Sequence, residues 1–99
     1  MAPRDPGVRI LLIDDDEDHR RLLGATLAAL RLQGVAPEVV AVAEPRPGLD
    51  HLRDGGEWIG FVDHRLGTTR STAWLPQLVA ADAGPVIVIT AEGDEQLVR

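Results

Sequence analysis

The chain is 99 residues long, with 16 acidic and 10 basic residues for a formal net charge of −6, 44% apolar and 3% aromatic residues, and no cysteine. That length suits one domain, the apolar fraction belongs to a globular rather than a disordered chain, and the acidic balance speaks against a binder of nucleic-acid backbones. The missing cysteine excludes disulfides and thiolate metal sites, no apolar run nears the roughly 20 residues of a membrane span, and MAPRDPG lacks the apolar core of a signal peptide, so the expectation is a small, soluble, cytoplasmic protein.

Residues 1–7, with two prolines and a glycine, read as a disordered lead-in, and residues 8–99 as the domain. Residues 8–13 (VRILLI) are nearly all apolar and rich in branched side chains, which predicts a strand buried on both faces. The run stops at Asp14-Asp15-Asp16-Glu17-Asp18. From residue 18 to 33 the pattern becomes helical, with Leu23, Leu27 and Leu30 on one stripe and Leu22, Thr26 and Ala29 widening it. Acidic residues at its start and Gly34 just past its end suit the helix dipole and a glycine cap. Residues 38–43 (EVVAVA) predict a second strand, and residues 44–54 a helix with early prolines, Leu49 and Leu52 as its apolar contacts, and Gly55-Gly56 as its stop. A third strand spans residues 58–62 (WIGFV) and ends at Asp63, followed by a polar loop. Ser71 or Thr72 could cap a helix running to residue 81, with Trp74, Leu75, Leu78 and Val79 inward and Pro76 early enough to be harmless. Residues 86–89 (VIVI) predict a fourth buried strand, residues 90–93 a turn, and residues 94–99 the start of another helix.

Strands alternating with helices predict right-handed crossovers and a parallel sheet covered on both faces. In such sheets ligands bind beyond the carboxyl ends of the strands. Asp14-Asp15, Asp63 and Thr90-Ala91 all fall at strand ends. Clustered carboxylates repel one another unless a cation compensates. Mg²⁺ takes oxygen ligands and keeps several waters, so two or three carboxylates suffice to hold it. An ion held there could orient a phosphoryl group and neutralise its oxygens.

VRILLIDDDEDHRRLL, GFVDHRLG and PVIVITAEGD, in that order, resemble the receiver domain of bacterial two-component response regulators. The resemblance implies a doubly wound parallel sheet of flavodoxin-like (CheY-like) type, three layers α/β/α, with strand order 2-1-3-4-5. It implies a phosphorelay signalling protein rather than an enzyme. Asp63 would be the phosphoacceptor for a sensor histidine kinase or phosphotransfer protein. Asp14 and Asp15 would hold Mg²⁺ together with Asp63 and the main-chain carbonyl of Arg65. Thr90 would be the switch hydroxyl, with Ala91 leaving room for the phosphoryl group, and an output domain or effector protein would read the change. The Asp63–Gly67 form DHRLG resembles receivers that precede cyclic-di-nucleotide or histidine-kinase output domains.

The chain departs from that pattern in three ways. Its basic residues are all arginine, and the lysine of the family's fifth strand is missing along with the segment expected to carry it rather than by substitution. The βα count reaches only the beginning of a fourth helix, so the expectation is a truncated domain lacking the fifth strand and fifth helix. Such a domain would have an uncovered sheet edge able to form a homodimer. Ser71 also stands where glycine is common, in a loop made polar by Thr68, Thr69 and Arg70.

Two other readings compete. A haloacid-dehalogenase-type enzyme would use Asp14 and Asp16, but Asp18 stands where that family has Thr or Val. A receiver-like interaction module would work without phosphorylation. His19 and His64 flank the acidic residues without a spaced ligand partner, His51 reads as a surface residue, and Trp58 and Trp74 read as packing residues.

Overall fold

A computed structural model describes residues 8–31, 34–66, 69–70, 73–89 and 95–98. In chain order the elements are β1 (Arg9–Ile13), α1 (Glu17–Ala28), β2 (Glu38–Val42), α2 (Pro45–Arg53), β3 (Trp58–Asp63), β4 (Arg65–Leu66), β5 (Thr69–Arg70), α3 (Leu75–Ala80), β6 (Val86–Ile89) and β7 (Glu95–Val98). The main sheet has the order β2-β1-β3-β6-β7. Its first four strands are parallel, and β7 runs antiparallel to β6. The class is α/β, and the parallel part follows the expected 2-1-3-4 order.

The apolar runs form strands because both of their faces are covered. Ile10, Leu11, Leu12 and Ile13 are at most 1% exposed. Leu11 and Ile13 pack with Leu49 and Leu52 of α2, Leu78 of α3, and Trp58, Val62 and Val86. Strand alternation turns Ile10 and Leu12 to the opposite face, and α1 packs over β1 and β2. The prolines of α2 sit in its first turn, where a missing N–H costs least. Trp58 is buried and donates from Nε1 to the Gly55 carbonyl at 3.1 Å. Arg9 lies over its ring, 4.3 Å from the centroid. Both tryptophans pack as expected, Trp74 as a partly buried neighbour of the core.

Four expectations change. Residues 95–98 form a strand, not a helix start, so the sheet does have a fifth strand, though an antiparallel one. The backbone groups along the outer edge of β6 attract a strand, and EQLV is too short to show a helical period. The outer edge of β6 is therefore paired with β7, which becomes the edge strand on that side. Second, α1 stops at Ala28, well before residue 33. Twelve residues of helix span about 18 Å, which matches the roughly 17 Å of a five-residue strand beneath. Leu22 and Leu30 are exposed (69% and 41%), as are Thr26 and Ala29, and only Leu27 of the stripe is buried. Third, the polar loop after Asp63 contains a short antiparallel pair, Arg65–Leu66 with Thr69–Arg70. Fourth, α3 begins only at Leu75, with Trp74 as its N-terminal flank and Pro76 in its first turn. Ser71, Thr72 and the lead-in 1–7 lie outside the described residues.

Candidate phosphoacceptor and cation site

The register of the sheet assembles the site. Ile13 of β1 pairs with Val62 of β3, so the next residues, Asp14 and Asp63, leave neighbouring strands at the same level. Parallel strands lie about 4.8 Å apart. The ladder continues one residue beyond β1, since the Asp14 amide donates to the Val42 carbonyl at 3.0 Å. Asp63 closes β3 opposite Ile89 of β6, and the His64 amide donates to the Ile89 carbonyl at 2.7 Å. Asp63 is thus held between two paired strands at the carboxyl edge of the sheet, one residue further inside the strand than expected.

One carboxylate oxygen from each of Asp14, Asp15 and Asp63 lies within 4.8 Å of the other two. Asp14 is buried, Asp15 exposed and Asp63 intermediate. An octahedral ion with ligands ~2.1 Å away holds its oxygens about 3 to 4.2 Å apart. A small inward movement of the three carboxylates therefore satisfies a hard divalent cation. Three carboxylate oxygens are the donor type that hard divalent cations take.

Asp14 is 1% exposed, and a carboxylate so placed needs partners. The N-terminus of α1 supplies them. The Asp16 amide donates to Oδ1 at 2.9 Å, and the Arg20 guanidinium donates to the Asp14 carbonyl oxygen at 2.8 Å. The ring nitrogen Nδ1 of His19 contacts Oδ2. Asp16 itself caps the helix, its carboxylate accepting from the His19 amide at 3.0 Å. Its position as a cap, outside the acidic group of Asp14, Asp15 and Asp63, gives no support to an Asp14–Asp16 enzyme pair. Asp18 is exposed, and Glu17 pairs with Arg21 on the open helix face.

The structure brings together Asp14, Asp15 and Asp63, the three side chains expected to hold the ion. Arg65 opens β4 two residues after Asp63, its backbone paired with Arg70. Thr90, the expected switch hydroxyl, follows the residue opposite Asp63 in β6, and it and Ala91 lie outside the described residues. Sequence reasoning missed the engagement of His19 and Arg20 with Asp14. Their positions in the first turn after the Asp16 cap were the available signal, because that turn folds back over the strand end. His51 is exposed as expected, with its ring 6.0 Å from that of Trp58. Among the described residues no helix is long and apolar enough to cross a membrane. No protein-family model matches the chain, and no curated protein or solved structure matches it.

Proposed function

We propose that the chain is a receiver-type signalling domain that accepts a phosphoryl group on Asp63 from a phosphohistidine donor in a Mg²⁺-dependent reaction. The observation that carries this reading is the meeting of the Asp14, Asp15 and Asp63 carboxylates at the carboxyl edge of adjoining parallel strands. A carboxylate oxygen is a competent nucleophile once its charge and that of the phosphoryl group are balanced. In the step, an Asp63 oxygen forms a bond to phosphorus while the phosphorus–nitrogen bond of the donor breaks, and the leaving imidazole keeps the electron pair and takes a proton. Mg²⁺ would neutralise the oxygens that carry charge in the transition state. Asp14 and Asp15, with the Arg65 carbonyl as a further ligand, would orient that ion against Asp63. The Thr90 hydroxyl would then be drawn toward the phosphoryl group, shifting the segment after β6 between two populations read by an output domain or effector. The resemblance to flavodoxin-like receivers supports the same reading.

Incubation with acetyl phosphate and Mg²⁺, followed by intact-mass measurement, tests the assignment. The expected result is a gain of one HPO₃, absent with a chelator and absent in Asp63→Asn. A gain that survives Asp63→Asn overturns it. A second reading, a receiver-like interaction module independent of phosphorylation, is favoured by one observation: the fifth strand of the sheet runs antiparallel to β6, unlike the all-parallel sheet that the resemblance implies. That module would bind its partner equally with and without beryllofluoride.

A further inference from the structure

Three groups at the start of α1 hold Asp14, and one of them differs from the others. The Asp16 amide is fixed by the helix cap, and Arg20 acts on the carbonyl rather than the carboxylate. His19 acts on the carboxylate through a rotatable side chain. Its Nδ1 lies against Oδ2, yet the imidazole is 46% exposed whereas the Asp14 side chain is 1% exposed. The imidazole can turn out into water, and the carboxylate has no such freedom. His19 is not placed as a ligand, because the group of mutually close donor atoms comprises Asp14, Asp15 and Asp63 without it. A group that supports a metal ligand from behind is normally held rigid itself, and a half-exposed histidine in a helix first turn is not. An ion reaching Asp14 and the donor on Oδ2 instead contend for the single negative charge of that carboxylate.

Resting on the reading that this acidic cluster takes a divalent cation, the geometry points to His19 as a tethered competitor for that cation. Its imidazole holds Asp14 and offsets carboxylate repulsion until the ion arrives, then swings out. The side chain at position 19 is thereby a positioning residue that sets the divalent-ion affinity of the site. Because the imidazole is part of the same helix turn, its local concentration is fixed, and no external ligand is needed to tune the cluster.

Calorimetric titration of MgCl₂ into the full chain, His19→Ala and His19→Gln tests this. Removing a charge-assisted contact that the ion must displace tightens the Mg²⁺ Kd about tenfold in His19→Ala. His19→Gln, which keeps a shorter donor, falls between the two and serves if the alanine variant does not fold. Long-range proton–nitrogen spectra provide a readout that a purely structural histidine would not move: the His19 ring signals shift as Mg²⁺ is added. Equal Kd values in all three chains, weaker binding by His19→Ala, or ring signals unmoved by bound Mg²⁺ overturn the role of His19 while the cation site stands. Absence of Mg²⁺ binding in every chain overturns both.

Discussion

At the level of single residues, two glycines with the same sequence context, a helix interior, demand opposite things. Gly48 of α2 is buried against the sheet, and a methyl group there would sit 2.7 Å from Cδ1 of Ile13 and 3.3 Å from Cδ2 of Leu11. Ile13 is 0% exposed and cannot retreat. Overpacking of this kind costs ~1–3 kcal/mol, against a helix-propensity gain for alanine of ~1 kcal/mol. Gly48→Ala therefore lowers stability. Gly24 of α1 has nothing within 4 Å of its added methyl, so Gly24→Ala keeps the propensity gain and raises stability by ~0.5–1 kcal/mol. Urea midpoints at constant slope measure both, and a shared sign would contradict this account of how closely α2 approaches β1. Ile13 directly precedes Asp14, so the close contact at Gly48 also anchors the strand end that presents the site.

At the level of elements, the first turn of α1 is both a helix start and the frame of the acidic site. Asp16→Ala removes the carboxylate that accepts the His19 amide, an N-cap loss of ~1 kcal/mol. Asp16→Ser, which restores a capping oxygen, recovers most of it. Thermal melts of the two variants check the difference, and equal losses would mean that the cap contributes nothing. The elements readable in the sequence were those whose burial dictates their composition. VRILLI, apart from Arg9, and VIVI are apolar because β1 and β6 are interior strands, and the positions of Asp14 and Asp63 follow from where VRILLI and WIGFV stop. What could not be read depends on partners distant in sequence. The end of α1 is set by the length of the strands it crosses, and the strand state of EQLV by the edge of β6. Neither leaves a period or a motif in the local residues.

At the level of the whole molecule, β7 decides how one side of the sheet meets water. Residues 95–98 pair antiparallel with β6, from Val86 opposite Val98 to Ile89 opposite Glu95. Without them β6 presents a row of unpaired amides and carbonyls flanked by branched apolar side chains, the arrangement that recruits strands from other molecules. A chain ending at residue 94 isolates this effect from charge. Residues 95–99 contain Glu95 and Arg99, whose charges cancel, so the formal net charge stays at −6 and mutual repulsion is unchanged. Sedimentation velocity across a concentration series should show the shortened chain self-associating more strongly than the full one. The acidic cluster should survive the deletion, because Asp63 belongs to β3 and remains held by its pairing to β1 and to β6. Retention of Mg²⁺ binding in the shortened chain checks that second half. If the shortened chain sediments as the full one does, β7 is not what shields the edge, and the antiparallel strand is an ornament on a sheet already stable with four strands.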